Sequence, residues 1–411
     1  MKNFNLKDEF IKGSIILILL FGLFNLINYL FQIAMAKMLS LADYGVFAAM
    51  MTLIYIIAIP SEAIQTVISR YTSKFNVKKE FGKTKDLLLK STGKAVSFSV
   101  LIFISFLIVG IFLSNLLKIN FLIILLTGTL IFTSFLSPIT RGILQGDKKF
   151  AVLGYNLVLE TLVRLIFGVG FVLIGLRVYG GILGVLVGAI AGYLFSFIFI
   201  KHITVAKRIG QRYAGIYNYN IPGLVIMTAI VLMYSLDILF ARILFSPEIA
   251  GQYAFVSLIG KAIIFSNISV GKAMFPLASE KFEKGTNTRN IFKKSIIFVS
   301  LISAIALILY FIFPEFIIKI LSLGSDKYLG ASGVLFIIGL AFSLLSISYI
   351  IVLYSLSRYK INKKESFYFL FFALIQIVLF LVYHSNIMQF SLALLTSSAL
   401  FLFGSIILLN K

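Results

Sequence analysis

The sequence predicts an all-α polytopic membrane protein with twelve transmembrane helices in two six-helix lobes, related by a pseudo-two-fold axis along the membrane normal. Three observations predict this fold: the apolar composition, the placement of the basic residues and an internal repeat. Apolar residues make up 60% and charged residues 13% of the 411 residues, whereas a soluble domain averages about 45–50% and roughly 25%. The composition therefore excludes a single soluble domain and makes lipid the solvent of this chain.

The predicted spans follow from the length of the apolar stretches, because a bilayer core about 30 Å thick needs roughly 20 apolar residues per helix. Twelve stretches qualify: about 13–37, 44–69, 92–115, 120–143, 150–175, 179–200, 220–245, 249–275, 294–314, 330–356, 366–383 and 387–409. The first lobe is predicted over residues 1–210 and the second over 211–411. The first apolar run is too long for the core of a cleavable signal, so none is expected.

The basic residues predict the orientation. With the N-terminus inside, 28 of the 37 Lys and Arg residues fall in inside segments and five in outside segments. The positive-inside rule then places both termini on the cytoplasmic side of the cytoplasmic membrane. The same placement explains the net charge of +22 without nucleic acid as a partner, since basic loops contact the anionic headgroups of membrane lipid.

The internal repeat joins residues 36–54 to residues 241–259, which share the pattern Gly-x-aromatic-Ala and close on Leu-Ile. Residues 84–91 match residues 288–295 at a similar offset. The repeat unit is six helices long and returns the chain to its starting side, so both halves share one orientation. Two such lobes are predicted to enclose a central cleft, as in an alternating-access transporter.

Ionisable residues inside the spans are candidates for function, because each costs at least ~2.5–3.5 kcal/mol to insert. Arg164 has Glu160 four residues before it, so an internal ion pair and substrate binding both remain open. Lys261 has no acidic residue three or four positions away, and an unpaired ammonium would seek an anion. It is the strongest candidate for binding an anionic headgroup. Arg242 and Lys272 lie near span ends, where snorkelling also accounts for them.

Two neighbouring spans carry polar stripes. Asn25, Asn28 and Gln32 lie on one narrow face of the first span. Glu62, with Gln65 and Ser69, repeats this geometry on the second span. Such stripes join helices together in some membrane proteins, but two adjacent ones favour the lining of a substrate cavity.

Three carboxylates are candidates for ion coupling. The repeat puts Asp237 at the position of Gln32, so Glu62 and Asp237 are expected to face the cleft, and Glu160 is the third acid within a span. A carboxylate in such a cleft binds Na⁺ or a proton, which would couple transport to an ion gradient.

Glycine and proline predict packing and bends. Gly184, Gly188 and Gly192 fall on one face of the sixth span and predict close helix packing. Pro60 and Pro276 predict bends in the second and eighth spans. Cysteine is absent and the two histidines lack acidic or cysteine neighbours, so no disulfide, catalytic metal or other cofactor is expected.

Three segments carry a family resemblance. AKMLSLADYGVFAAM at 36–50, ILQGDKKFAVLGYNLVLETLVRLIFG at 143–168 and DILFARILFSPEIAGQYA at 237–254 resemble the polysaccharide and oligosaccharide flippase family. This family belongs to the multidrug, oligosaccharidyl-lipid and polysaccharide exporter superfamily. The resemblance implies two six-helix lobes and transport of polyprenyl-diphosphate-linked glycans across the cytoplasmic membrane, with a cationic cleft for the diphosphate. It also implies association with polysaccharide-assembly proteins.

The sequence departs from the lipid II flippases of the superfamily, which use arginines in helices 1, 2 and 8, because only the eighth span supplies a cation there, Lys261. A peptidoglycan precursor is therefore not favoured. A multidrug exporter of the same fold stays open as an alternative, although it would prefer acidic to basic cavity residues. A membrane-bound glycan polymerase or ligase is less favoured, because the longest outside segment, about 315–329, is short and lacks histidine. The chain is not expected to be an enzyme.

Overall fold

The computed structural model describes residues 3–211, 221–358, 361 and 363–409, and these residues form helices and short connections without a strand. The α-helices are α1 Asn3–Met38, α2 Leu41–Ile57, α3 Pro60–Val77, α4 Phe81–Leu116, α5 Phe121–Gly128, α6 Leu130–Gly146, α7 Phe150–Phe171, α8 Arg177–Phe199, α9 Lys201–Thr204, α10 Ile221–Leu244, α11 Pro247–Glu283, α12 Arg289–Ile312, α13 Pro314–Leu321, α14 Leu335–Ser357, α15 Lys363–Val382 and α16 Ile387–Leu409.

These helices account for the twelve predicted spans. Ten continuous helical stretches in the described residues are long and apolar enough to cross a membrane, and the pair α2 and α3, bent by 42°, makes an eleventh. One of the ten, Phe150–Phe199, counts twice because the chain reverses at Gly175, which has a φ of 92°. The returning helix α8 then packs along α7. The described residues thus form an all-α protein with twelve crossings, as predicted.

The bend in the second span has a local cause. Pro60 begins α3 and has no backbone N–H to continue the ladder of α2. The helix therefore breaks at Ala58 and Ile59 and restarts in a new direction. The prediction of a bend at Pro60 is confirmed, whereas Pro276 lies inside the continuous helix α11.

The chain forms two compact units. One contains Met1–Leu39 and Leu53–Asn218, and the other contains Ser40–Thr52 and Tyr219–Lys411. In the first unit α7 packs on α1 and α8, while α6 packs on α3, α4 and α8. In the second unit α15 packs on α10 and α16, while α14 packs on α11, α12 and α16. The same packing pattern occurs twice, which agrees with the repeat found in the sequence.

The glycine of the repeated motif permits a close approach inside the second unit. Gly45, which belongs to this unit through the segment Ser40–Thr52, lies against Gly251. A Cβ atom on Gly251 would stand only 1.9 Å from the carbonyl oxygen of Leu41. Beside this contact the ring of Tyr44 packs edge-on against Phe255 at 5.9 Å. The two copies of the repeated motif therefore meet at this point.

The glycines of α8 form the predicted packing face. A Cβ on Gly184 would lie 2.3 Å from the Cα of Gly168, and one on Gly188 would lie 2.6 Å from the carbonyl oxygen of Glu160. The backbones of α7 and α8 therefore approach closely along this face, which brings the charged residues of α7 up against α8.

Candidate functional site

The first unit contains a buried charge cluster on α7. Glu160 and Arg164 are one helical turn apart, and Glu160 Oε1 lies 2.7 Å from Arg164 Nη2. Their side chains are 10% and 14% exposed. The predicted internal ion pair is confirmed, and the helix geometry is its cause, since residues four apart share one face.

A second arginine completes this cluster. Arg141 of α6 binds the other carboxylate oxygen, Glu160 Oε2, through its Nη2. Arg141 lies five residues before the end of α6 at Gly146, so it belongs to the helix and not to the connection that follows. Two guanidinium groups share one carboxylate, so the cluster formed by Arg141, Glu160 and Arg164 carries one surplus positive charge.

Amides hold both arginines in place. Arg164 Nη1 donates to Asn28 Oδ1 of α1 at 2.7 Å, and Arg141 Nε donates to Asn156 Oδ1 of α7 at 2.8 Å. Asn156 in turn donates to the carbonyl oxygen of Gly192 on α8 at 2.5 Å. These bonds link α1, α6, α7 and α8 around the cluster, and they offset part of the cost of removing charges from water.

Some residues of the predicted polar stripes bind neighbouring helices, and others are exposed. On α1, Asn25 is exposed, Asn28 binds Arg164 and Gln32 is half-buried. On α3, Gln65 donates to Gln145 Oε1 of α6 at 3.0 Å, whereas Glu62 is exposed.

The exposed face of α3 is polar along its length. Glu62 shares this face with Thr66 and Arg70, which are exposed at intervals of four residues. Charged side chains in a span avoid hydrocarbon and face a water-filled space or the protein interior. This face is therefore suited to water rather than to lipid.

The second unit holds its own buried ion pair. Lys261 Nζ of α11 lies 2.9 Å from Asp237 Oδ1 of α10, and Ser257 Oγ donates to Asp237 Oδ2 at 2.5 Å. The expectation that Lys261 is unpaired was wrong, because its carboxylate comes from a neighbouring helix rather than from its own. Asp237 is fully buried and does not show the expected exposure to open space.

The other two cations that the sequence placed within spans of this unit lie outside the ion pair. Lys272 is exposed on α11, about 16 Å along the helix from Lys261 at 1.5 Å per residue. Arg242, in the last turn of α10, is only 5% exposed. No group of three or more His, Cys, Asp or Glu side chains in the described residues is placed to hold a metal ion.

The fold and these charge clusters define the class of the protein. Twelve apolar helices in two like-packed units, each with ionic side chains buried inside its bundle, form a multi-pass membrane protein with the fold of transporters of the MOP (multidrug, oligosaccharidyl-lipid and polysaccharide exporter) superfamily. The chain belongs to the family described as polysaccharide biosynthesis protein, whose family model matches residues 34–332. No curated protein matches the chain.

Solved structures share this fold at low sequence identity. A multidrug resistance MATE family transporter of the MOP superfamily, in an inward-facing conformation, is 12% identical with a TM-score of 0.77, over 94% of either chain. The lipid II flippase MurJ, in an inward closed conformation, is 15% identical with a TM-score of 0.70, over 97% of this chain and 88% of its own. A MOP superfamily transporter from Pyrococcus furiosus, titled for the reverse polarity of its binding pocket, is 13% identical with a TM-score of 0.58. The match covers 98% of this chain and 96% of that transporter.

Proposed function

We propose that this protein is a flippase that moves polyprenyl-diphosphate-linked oligosaccharide across the cytoplasmic membrane by alternating access. The observation that carries the proposal is the surplus positive charge of the Arg141, Glu160 and Arg164 cluster, inside the helical bundle of the first unit. Membership of the polysaccharide biosynthesis protein family supports the glycan. The shared fold with MurJ, itself named a lipid II flippase, supports a lipid-linked substrate.

The chemistry of the cluster suits a diphosphate. A headgroup of this charge cannot cross hydrocarbon unaided, and planar guanidinium groups bind phosphate oxygens with paired hydrogen bonds. Glu160 occupies only part of the donor capacity of the two arginines, since each guanidinium carries five N–H donors. The amides of Asn25 and Gln32 would then bind sugar hydroxyls, while the polyprenyl chain stays in lipid.

Alternating access is proposed on the basis of the relatives. MATE family transporters of the same fold are known in inward-facing and outward-facing conformations. The proposed orientation keeps both termini on the cytoplasmic side of the membrane. The terminal residues 1–2 and 410–411 lie outside the described part of the chain. Partners are the lipid-linked glycan, membrane lipid and polysaccharide-assembly proteins.

For ion coupling we favour Glu62 among the three predicted carboxylates. Glu160 and Asp237 are buried inside their bundles, with 8% and 0% of their surface exposed. Glu62 is exposed on the polar face of α3, where Na⁺ or a proton has access from water. Glu160 would then only compensate part of the positive charge of Arg141 and Arg164.

Asp237 and Lys261 keep a role as a linked pair. An anionic headgroup that reaches Lys261 would compete with Asp237 for its ammonium. Lys272 is exposed on the same helix and is proposed as a further headgroup contact.

The test measures the rate at which the purified full chain, in proteoliposomes, flips a fluorescent polyprenyl-diphosphate oligosaccharide across the bilayer. Arg164→Gln and Arg141→Gln each abolish the surplus charge of the cluster, so we expect the flipping rate to fall at least tenfold in both. Arg289→Gln, at the exposed start of α12, is the matched control and should keep the wild-type rate.

Two outcomes would overturn the proposal. Unchanged flipping in both cluster variants, with the proteins folded, would remove the arginines from the mechanism. Transport of a cationic amphiphile such as ethidium, without flipping of the glycan lipid, would favour the multidrug exporter.

A further inference from the structure

A groove lies at the basic end of the first unit, and none of its lining residues belongs to the charge cluster. Its volume is about 240 Å³, below the ~300–1,000 Å³ of pockets that enclose a whole drug-sized ligand. It is lined by α4, α8 and α9, chiefly by Lys85, Leu88, Leu89, Thr92, Tyr193 and Phe197. The groove therefore has room for a headgroup, not for an entire lipid.

The sequence of α4 gives the depth of this groove in the membrane. From Ala95 to Leu116 the helix is continuously uncharged, and these 22 residues span about 33 Å at 1.5 Å per residue, close to the ~30 Å of a hydrocarbon core. Thr92 thus lies at the edge of the hydrocarbon, and Lys85 lies about 10 Å further out along the helix, at the level of the headgroups.

The charge at the groove is carried by Lys85. Its neighbours on α4 each contact a carboxylate, since Lys83 pairs with Glu80 at 2.7 Å and Lys90 pairs at 2.8 Å with Asp86, which Arg208 shares. Lys85 Nζ donates instead to the carbonyl oxygen of Ala206 at 3.0 Å, and no carboxylate pairs with it within the described ranges. An ammonium has three N–H donors, so Lys85 retains donors and an uncompensated charge for an anion.

The walls of the groove indicate a lipid rather than a soluble anion. Leu88, Leu89 and Phe197 give one side of the groove an apolar surface, and Leu89 is 46% exposed where acyl chains would lie. Tyr193 packs edge-on against Phe197 at 5.1 Å, and tyrosine is typical of the boundary between membrane and water. No lining residue is acidic, so nothing at the groove would hold the amine of a zwitterionic headgroup.

We propose that this groove binds one anionic phospholipid, with its phosphate on Lys85 and the start of its acyl chains along Leu89 and Phe197. The site is separate from the transport cluster and stands whether or not the protein flips a glycan. Asp86 stabilises its rim, because Arg208 Nε binds Asp86 Oδ1 at 2.7 Å and thereby fixes the segment that contains Ala206.

The experiment is native mass spectrometry of the purified full chain, titrated in parallel with phosphatidylglycerol and phosphatidylcholine. We expect the first bound phosphatidylglycerol to be held more tightly than phosphatidylcholine. Lys85→Gln should weaken the phosphatidylglycerol alone, by about fivefold, as for one basic residue at the membrane surface. Lys83→Gln removes the same charge from the same helix but outside the groove, and should change neither affinity.

A second variant tests the groove by shape. Leu89→Trp fills it and should weaken the tightest site for both lipids, and circular dichroism and thermal unfolding check the fold of every variant. Equal effects of Lys83→Gln and Lys85→Gln, or equal affinity for the two lipids, would overturn the site.

Two competitors separate the possible sources of phosphate. Displacement of phosphatidylglycerol by inorganic pyrophosphate would make the groove a site for soluble anions. Stronger displacement by polyprenyl diphosphate, with the same sensitivity to Lys85→Gln, would make it an entry site for a transport substrate. Either result would overturn the assignment to phospholipid.

Discussion

The buried carboxylates of Glu160 and Asp237 each bind a cation on another helix. Glu160 binds Arg141 of α6 as well as Arg164 of its own helix, and Asp237 of α10 binds Lys261 of α11. A buried pair contributes little net stability, but removing one partner leaves a charge that is strongly destabilising. The two units are thus sensitive to single substitutions at these positions.

Glu160→Gln should be the most damaging of the cluster variants, because it leaves two buried guanidinium groups without a carboxylate. We expect a loss of about 3–5 kcal/mol in the free energy of unfolding, measured by denaturant titration in detergent. Arg141→Gln leaves a neutral pair and should cost less. The control is Glu280→Gln, which breaks an exposed pair with Lys284 and should leave stability unchanged.

For the second unit we expect non-additive effects at Asp237 and Lys261. Lys261→Met leaves the fully buried Asp237 carboxylate unpaired and should cost about 3–5 kcal/mol. The double variant Asp237→Asn with Lys261→Met should be more stable than Lys261→Met alone. A double-mutant cycle measures this coupling, and strictly additive free energies would contradict the pairing.

These residues also show what the sequence can predict about the site. The pair Glu160 and Arg164 follows from helical periodicity, since partners four residues apart are visible in the chain. The contacts of Lys261 with Asp237 and of Arg141 with Glu160 join helices, so they depend on packing that no local pattern encodes. Arg141 lies near the end of the predicted fourth span, where a basic residue also fits the positive-inside rule, so the sequence did not indicate it as a site residue.

At the scale of elements, glycine determines how closely helices approach. The face of α8 that carries Gly184 and Gly188 has no room for a Cβ against α7. The periodicity of these glycines predicted this face. The break between α2 and α3 followed from Pro60, and the turn at Gly175 lies where the fifth predicted span ends.

Gly184→Ala should destabilise the first unit, because its Cβ would lie 2.3 Å from the Cα of Gly168 and the helices must separate. Gly170→Ala is the matched control on α7, where nothing lies within 4 Å of a new Cβ. Alanine favours helix over glycine by about 1 kcal/mol, so the control should be neutral or slightly stabilising. The measurement is thermal unfolding of both variants. Equal melting temperatures for Gly184→Ala and Gly170→Ala would contradict the close packing of α7 and α8.

The whole molecule is organised by its solvent and by duplication. Large apolar side chains such as Leu101 on α4 and Ile305 on α12 are 61% and 60% exposed, as lipid-facing residues are. The composition alone predicted this, and the repeat predicted two like-packed units. The sequence did not predict that the segment Ser40–Thr52 groups with the second unit, since close contacts of the Gly45 motif determine that grouping.

The proposed orientation can be tested without background labelling, because the chain contains no cysteine. Ser385→Cys lies in the exposed connection between α15 and α16, and Thr286→Cys in that between α11 and α12. With a membrane-impermeant maleimide on intact cells, we expect Ser385→Cys to react and Thr286→Cys to react only after the cells are opened. The reverse pattern would place the basic connections outside.

The uneven charge of the Arg141, Glu160 and Arg164 cluster has an electrical consequence for the proposed transport. An anion carried outward moves down an inside-negative membrane voltage, which contributes about 2.3 kcal/mol per elementary charge for every 100 mV. The emptied cationic site, on its way back toward the cytoplasm, moves down the same voltage. Both halves of such a cycle move charge in the same electrical sense. The membrane voltage would therefore drive export even without a coupling ion.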